Sequence, residues 1–194
     1  KLISYCKKKK INFLSTAFDF ESMNMLVKHK PKFIKIASGD INNLPLLRLA
    51  ASFKIPVIFS TGMSNFKEIN DAINILTKSG LKKKYISVLQ CNTEYPTPFR
   101  DVNLRAMVEI KRKTKLNVGY SDHTKGIEAS IAAVALGAKI IEKHFTINNK
   151  LDGPDHKASL EPEELNLLVK SIRNIELALG SNIKKITNSE KKNI

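Results

Sequence analysis

Short apolar runs rich in β-branched residues recur along the chain at near-regular spacing, and segments with helical periodicity separate them. The six apolar runs are Ile11–Leu14, Phe33–Ala37, Pro56–Phe59, Tyr85–Leu89, Leu116–Tyr120 and Lys139–Phe145. The helical segments include Ser64–Gly80, Thr124–Gly137 and Glu161–Leu179. Strands that alternate with helices are typical of βαβ units, so the pattern predicts a parallel sheet.

Each apolar run ends in a small polar cluster, which predicts where the functional residues lie. The clusters are Ser15-Thr16, Ser38-Gly39-Asp40, Ser60-Thr61-Gly62, Gln90-Cys91-Asn92-Thr93, Ser121-Asp122-His123 and Glu142-Lys143-His144. In parallel α/β folds the ligand lies at the carboxyl ends of the strands. Six consecutive polar ends favour a barrel, because an open sheet concentrates function at its switch point.

The expected fold class is therefore α/β, a (β/α)8 TIM-type barrel. Such a barrel needs eight strands. Because six are found and the chain opens on what resembles the end of a helix, we expect the N-terminal two strands to be lacking. Residues 1–180 are expected to form one partial barrel domain. Residues 181–194 are polar, basic and without periodicity, which predicts a linker.

Composition narrows the possible partners. Lysines near the two ends supply more than half of the net charge of +15, and 28 of the 33 basic residues are Lys. Nucleic-acid readers favour Arg and interleaved aromatic residues, so we expect no nucleic-acid partner and attraction of small anions instead. No apolar run reaches the ~18 residues of a membrane span. The low Cys content is typical of a cytoplasmic protein.

His123 and His144 end neighbouring predicted strands, so a parallel barrel brings their side chains close together. Neutral imidazole is a common ligand of divalent metals, and two His ligands leave positions open for water and substrate oxygens. This placement favours a metal site. The alternative is that these are two unrelated, hydrogen-bonded histidines.

Lys35 lies inside an otherwise apolar strand and is followed by Ser38-Gly39-Asp40. A Lys that points into a barrel is costly to bury unless it meets an anion. The Ser hydroxyl and nearby backbone N–H groups are suitable donors to a phosphate or a carboxylate. The sequence favours an anion site here, with the alternative that strand alternation directs Lys35 to solvent.

Two stiff loops carry polar groups near the predicted strand ends. Gly153-Pro154-Asp155-His156 is a turn with a carboxylate and an imidazole, and an ordinary surface loop is an equally open interpretation. Tyr95-Pro96-Thr97-Pro98 either walls a pocket or merely connects two elements. Ser64, with Glu68 nearby, is expected to cap the helix that follows it.

Taken together, the motifs resemble the sialic acid synthase family, which comprises N-acetylneuraminate synthase and its relatives. The resemblance runs from about Ile11 to Lys192 and rests on seven motifs in the same order and with matching spacing. These motifs are Phe13-Leu14-Ser15-Thr16, Lys35-Ile36-Ala37-Ser38-Gly39-Asp40, Ser60-Thr61-Gly62-Met63, Cys91-Asn92-Thr93-Glu94-Tyr95-Pro96-Thr97-Pro98, Gly119-Tyr120-Ser121-Asp122-His123-Thr124, Ile141-Glu142-Lys143-His144-Phe145-Thr146 and Gly153-Pro154-Asp155-His156.

The resemblance implies a transferase that condenses phosphoenolpyruvate with N-acetylmannosamine or a related 2-acetamido sugar. The products would be an N-acetylneuraminate-type sialic acid and phosphate. C3 of phosphoenolpyruvate would add to the sugar aldehyde, water would attack C2, and the C–O bond would break. Mn²⁺ or Mg²⁺ would polarise the aldehyde and orient the water. The family also implies a homodimer and an antifreeze-like (SAF) domain after the linker.

Carried over position by position, the resemblance assigns a role to each candidate residue. The metal ligands would be His123 and His144, and the catalytic carboxylates would be Asp40 and Glu142. The residues that bind phosphoenolpyruvate would be Thr16, Lys35, Ser38, Thr93 and Ser121, and those that contact the sugar would be Tyr95 and Asp155.

Two other functions stay open from the sequence. One is a legionaminic or pseudaminic acid synthase, and the Gly153–His156 turn is more similar to the neuraminate and legionaminate branches than to the pseudaminate branch. The other is a non-catalytic anion-binding fragment. The family carries a Glu and a Lys on its first two strands and an Arg on its C-terminal domain, so we expect this chain alone to be inactive.

Overall fold

Five parallel strands form one curled half-barrel sheet in a computed structural model, which describes residues 1–194. The strands pair in chain order and are β1 (Ile34–Ile36), β2 (Val57–Ser60), β3 (Ile86–Cys91), β4 (Asn117–Asp122) and β5 (Ile141–Lys143). The helices are α1 (Leu2–Lys8), α2 (Phe20–Lys28), α3 (Leu44–Ser52), α4 (Phe66–Lys78), α5 (Leu104–Thr114), α6 (Glu128–Ala135) and α7 (Pro162–Ala178). A helix follows every strand, which confirms the predicted α/β class and partial TIM-type barrel.

The first predicted strand, Ile11–Leu14, is wrong. This segment contains no strand, and its connection to the sheet is one parallel bridge between Thr16 and Lys35. A strand is held by a row of backbone hydrogen bonds to a neighbour. Here the row is reduced to the single bridge at Thr16, beyond the end of the predicted strand.

The N-cap of α4 also differs from the prediction. Asn65, not Ser64, occupies the position, since its side chain accepts a hydrogen bond from the Glu68 N–H at 3.1 Å. The Glu68 carboxylate accepts one from the Asn65 N–H at 2.8 Å in return. This reciprocal pair requires a spacing of three residues, which Asn65 has and Ser64 lacks.

The outer face of the sheet packs against the helices and forms the core. Ile36, Phe59, Val88 and Val118 lie in one register row across four strands, and each is at most 1% exposed. Successive residues of a strand point to opposite faces. The neighbours of this row, among them Lys35 and Ser60, therefore point toward the inside of the half-barrel.

The inner face carries polar residues at its carboxyl edge. Cys91, Ser121 and Glu142 lie in one register row on β3, β4 and β5. Gly119 lies on the same face, two residues before Ser121, where the chain passes very close to its neighbours. A Cβ atom at Gly119 would lie 2.3 Å from the Ile140 carbonyl oxygen and 2.6 Å from Leu89 Cδ2.

Beyond α7 the chain is exposed throughout residues 181–194, with one short 3₁₀ turn at Lys191–Asn193. None of the helices is both long and apolar enough to span a membrane.

We expect Gly119→Ala to destabilise the fold by about 1–3 kcal/mol, the usual cost of overpacking a core site. The added methyl group meets a backbone oxygen of the adjoining chain segment, which cannot rotate away. Urea unfolding followed by circular dichroism measures the change. Gly39→Ala is the matched control, because a Cβ atom there meets nothing within 4 Å. Equal stability of the two variants would contradict the close approach seen at Gly119.

Candidate active site

Lys35 points into the half-barrel, and the alternative that it faces solvent is wrong. The residue is only 6% exposed. Its Nζ donates a hydrogen bond to Ser60 Oγ at 2.8 Å and lies 3.5 Å from Glu142 Oε1. Ser121 Oγ donates to the same Glu142 oxygen at 2.6 Å. One carboxylate oxygen is thus shared by an ammonium and a hydroxyl that come from β1 and β4.

His123 and His144 lie two residues beyond the register pair Ser121 and Glu142, on the same inner face. Their ring centroids are 5.3 Å apart with an interplanar angle of 69°. The separation is close to the ~4.8 Å spacing of neighbouring strands, as expected for side chains at adjacent strand ends. The structure therefore brings together the two histidines that the sequence singles out.

The tautomer of His123 follows from its surroundings. His123 Nδ1 lies 2.5 Å from the Asn92 carbonyl oxygen, which is an acceptor only, so Nδ1 carries the proton. Nε2 is then left with a free lone pair. Burial lowers the pKa of the His123 imidazole, the hydrogen bond with Asn92 opposes that shift, and the neighbouring His144 lowers the pKa further. The net lowering of the pKa favours the neutral ring that a metal requires.

Tyr95 forms a wall beside both histidines. Its ring stacks on His123 with centroids 4.0 Å apart at 27°, and it meets His144 edge-on at 5.3 Å. The Thr97 N–H donates to the His123 carbonyl at 2.8 Å, which ties the loop to the end of β4. The Tyr95–Pro98 segment therefore walls the site and is more than a connection.

Ser38 and Thr93 flank Gly62. The Gly62 N–H donates to Ser38 Oγ at 3.0 Å, and a Cβ atom on Gly62 would lie 2.5 Å from Thr93 Cγ2. Thr16 lies beside Lys35 through the isolated parallel bridge. Three candidate residues with hydroxyl groups thus follow different apolar runs, and two of them lie on opposite sides of Gly62.

The two remaining carboxylates differ in their placement. Asp155 Oδ2 lies 3.8 Å from His144 Nδ1, and the next residue, His156, anchors the loop through a 2.8 Å hydrogen bond between its Nδ1 and Thr146 Oγ1. Asp40 instead accepts a hydrogen bond from Asn43 Nδ2 at 3.0 Å. The side chain of Asp40 is therefore tied to the residue that caps the N-terminus of α3.

Three further groups contact the site residues although the sequence alone does not indicate a role for them. These are the Ser60 hydroxyl, the Cys91 side chain and the Asn92 carbonyl. Burial raises the pKa of the Cys91 thiol, and its Sγ lies 3.8 Å from His123 Nδ1. The inward positions of Ser60 and Cys91 follow from alternation once the register is known, whereas a carbonyl contact leaves no signal in residue identity.

The donor set at the site fits a metal ion with open coordination positions. No group of three or more His, Cys, Asp or Glu side chains with metal-binding geometry occurs in residues 1–194. The set is the two imidazoles, of which His123 presents Nε2 as a neutral donor. Borderline divalent cations accept such ligands, and the remaining positions suit water and substrate oxygens.

Comparison with known proteins identifies the family. The sequence model of the NeuB family matches residues 1–184. The chain belongs to the NeuB family. It is 54% identical over 193 residues to the N,N'-diacetyllegionaminic acid synthase of Campylobacter jejuni, which covers 100% of this chain and 58% of that protein. The Legionella pneumophila protein of the same name is 45% identical, over 93% of this chain and 51% of its own length.

A solved NeuB relative shares the fold. The N-acetylneuraminic acid synthetase of Leptospira borgpetersenii, solved with citrate, superimposes with a TM-score of 0.91 and is 40% identical. The alignment covers 99% of this chain and 66% of that one. The chain spans about half the length of the curated NeuB relatives that it matches.

We expect the Tyr95 phenol to stay protonated well above the usual range. Burial, aided by the neighbouring Cys91, Asp155 and Glu142, raises its pKa to about 12, so it remains a hydrogen-bond donor. The Tyr95 Cζ carbon signal, assigned by its loss in Tyr95→Phe, should shift little up to pH 11. A free tyrosine with a pKa of about 10 is mostly ionised there. Half-ionisation of Tyr95 near pH 10 would contradict the stacked, desolvated placement.

Proposed function

We propose that the full-length protein condenses phosphoenolpyruvate with a 2-acetamido sugar to give a sialic acid-type product and phosphate. The observation that carries this proposal is the shared Glu142 carboxylate. Glu142 contacts the buried Lys35 ammonium and the Ser121 hydroxyl, and it lies two residues before His144, whose ring is paired with that of His123. An anion site that adjoins a metal site suits the addition of an anionic enol to a carbonyl group.

The proposed reaction forms one carbon–carbon bond and breaks one carbon–oxygen bond. C3 of phosphoenolpyruvate attacks the aldehyde carbon of the open-chain sugar, and the aldehyde oxygen gains a proton. Water adds to C2 and loses both of its protons, which balance the proton gained by the aldehyde oxygen and the one carried away on phosphate, and the C2–O bond to phosphate breaks. Phosphate departs with the bridging oxygen, which leaves a keto group at C2.

The residues of the chain divide this work between them. Lys35 supplies a fixed positive charge for the phosphate or the carboxylate of phosphoenolpyruvate, and nearby hydroxyls donate hydrogen bonds to the same anionic groups. These hydroxyls are contributed by Thr16, Ser38, Thr93 and Ser121. Tyr95, which keeps its proton, donates a hydrogen bond to the sugar, and Asp155 accepts one. Glu142 and Asp40 are the carboxylates proposed to serve the reacting carbons.

His123 and His144 are proposed to hold Mn²⁺ or Mg²⁺. When bound, the ion acts as a Lewis acid toward the sugar aldehyde. The chain's own part is to keep the His123 ring neutral and in place. The Asn92 carbonyl holds the His123 tautomer, and the Tyr95 ring restricts the His123 ring through stacking.

The sugar is proposed to be the diacetamido hexose that yields N,N'-diacetyllegionaminic acid. Two relatives named for that product are 54% and 45% identical to this chain. The N-acetylneuraminate-9-phosphate synthase of Drosophila melanogaster is 38% identical, and the pseudaminic acid synthase of Campylobacter jejuni is 37% identical. A panel of N-acetylmannosamine and diacetamido sugars tests the choice, with the keto-acid product measured by mass spectrometry. Highest kcat/KM for N-acetylmannosamine would favour N-acetylneuraminate synthesis instead.

Location and assembly complete the proposal. Cys6 and Cys91 are both free thiols, which suits a reducing cytoplasm where phosphoenolpyruvate is available. We propose a homodimer and a linker role for residues 181–194, on the strength of the family resemblance. Sedimentation of the full-length protein as a monomer would contradict the dimer.

Lys35→Met should lower phosphoenolpyruvate affinity at least tenfold, which corresponds to about 1.4 kcal/mol. The substitution keeps the length of the side chain and removes the buried positive charge beside Ser60 and Glu142. Isothermal titration calorimetry of the full-length protein, without sugar, measures the change. Lys32→Met is the matched control, since Lys32 is exposed three residues earlier. A loss for Lys35→Met of less than threefold would contradict the anion site.

His123→Ala and His144→Ala should each abolish Mn²⁺-dependent turnover in the full-length protein. The double variant should be little worse than either single one, because the two side chains act as one unit. Phosphate release in the presence of both substrates measures the effect. His29→Ala should retain full turnover, since His29 is exposed at the end of α2. Independent, multiplicative losses for the two histidines would contradict a shared metal.

A further inference from the structure

A buried ion pair lies directly behind the two histidines. Asp122 precedes His123 and Lys143 precedes His144, and the two residues are register partners on β4 and β5. Lys143 Nζ lies 3.0 Å from Asp122 Oδ2, and the two side chains are 4% and 0% exposed. Because strand residues alternate, this pair lies on the helix-covered face while the histidines lie on the inner face.

The Asp122 carboxylate is saturated with hydrogen bonds. Its Oδ1 accepts from the Thr124 N–H at 2.9 Å and from Thr124 Oγ1 at 2.8 Å. Its Oδ2 accepts from Ser130 Oγ of α6 at 2.6 Å. Asp122, the residue before His123, is thereby tied both to Thr124, the residue after it, and to helix α6.

Lys143 connects this turn to the neighbouring strand. Besides Asp122, its Nζ donates to the Thr124 carbonyl oxygen at 2.6 Å. One ammonium on β5 thus holds the residues on both sides of His123. Lys143 directly precedes His144 in the sequence. Its ammonium therefore connects the segment that carries His144 to the segment that carries His123.

Packing of the sheet against the helices does not by itself require the charges of Asp122 and Lys143. The row from Ile36 to Val118 on the same helix-covered face is wholly apolar. Taking two charges out of water is costly, and well-packed apolar residues often stabilise such a position at least as well. β4 and β5 end at Asp122 and Lys143, so both histidines lie just beyond the regular ladder. The ion pair lies at the ends of β4 and β5, beyond which the hydrogen bonds between the strands no longer restrict the backbone.

We propose that Asp122 and Lys143 form a positioning pair that sets the separation and ring orientation of His123 and His144. The pair touches no substrate atom and acts through the backbone of the two strand ends. Its consequence for metal binding rests on the function proposed above. The geometric part, a fixed relation between two imidazoles, is independent of any metal.

Two variants of the full-length protein and one control test the pair. Lys143→Met removes the ammonium and leaves the Asp122 carboxylate buried without its charged partner. The double variant Asp122→Asn with Lys143→Met removes both charges at similar volume, so it keeps the test valid if the single variant does not fold. Lys139→Met is the matched control, four residues earlier on the same segment and exposed. Circular dichroism and the thermal midpoint identify the folded variants.

The first measurement follows the imidazole ¹⁵N signals of metal-free protein, assigned with His123→Ala and His144→Ala. In the folded variant we expect the His123 and His144 signals to shift or broaden, with those of His29 and His156 unchanged. Lys139→Met should leave all four as in the unsubstituted protein. Unchanged His123 and His144 signals in a folded variant would overturn the proposal, whether or not the protein binds a metal.

The second measurement compares two affinities of the same variant. Calorimetry should show Mn²⁺ affinity reduced at least tenfold and phosphoenolpyruvate affinity within threefold of the unsubstituted protein, because Lys35 and Ser121 lie within the strand ladder and the histidines lie beyond it. Unreduced Mn²⁺ affinity in a folded variant would overturn the positioning role. If the unsubstituted protein itself shows no histidine-dependent Mn²⁺ binding, the proposed metal fails, and the imidazole signals alone decide the positioning pair.

Discussion

The register of the parallel strands is the constraint on which the whole site depends. It places Cys91, Ser121 and Glu142 in one row, and the next inward positions on β4 and β5 are then His123 and His144. A slip of one residue would send every one of these side chains to the helix-covered face. The apolar outer row that includes Phe59 and Val88 opposes such a slip, since it would have to leave the core.

The same constraint separates two kinds of buried charge. Lys35 on the inner face shares Glu142 with Ser121, and Glu142 remains partly exposed, so this pair is open to an incoming anion. Asp122 and Lys143 on the outer face are closed off and fully paired. Burying an ion pair is weak evidence for stability by itself. The Asp122–Lys143 pair is instead proposed to position His123 and His144, because each of its members directly precedes one of them.

Much of this arrangement is predictable from residue types, and the part that is not depends on register. The polar end of each apolar run predicts the site edge, and the lone Lys35 in an apolar strand predicts a buried anion site. The partners Ser60 and Asp122 become visible only when strand positions are matched across the sheet. The segment Ile11–Leu14 has the composition of a strand but forms none, and the only bridge nearby is at Thr16. The hydrogen bond that Asn43 donates to Asp40 is local geometry that composition does not encode.

The most direct test of the account is the fate of the bridging oxygen of phosphoenolpyruvate. The full-length protein is incubated with phosphoenolpyruvate labelled with ¹⁸O at the C2–O–P position, the diacetamido sugar and Mn²⁺, and both products are examined by mass spectrometry. The account predicts a sialic acid-type keto acid without label and phosphate that carries the ¹⁸O. Label retained in the organic product, or phosphate release without a keto acid, would contradict it.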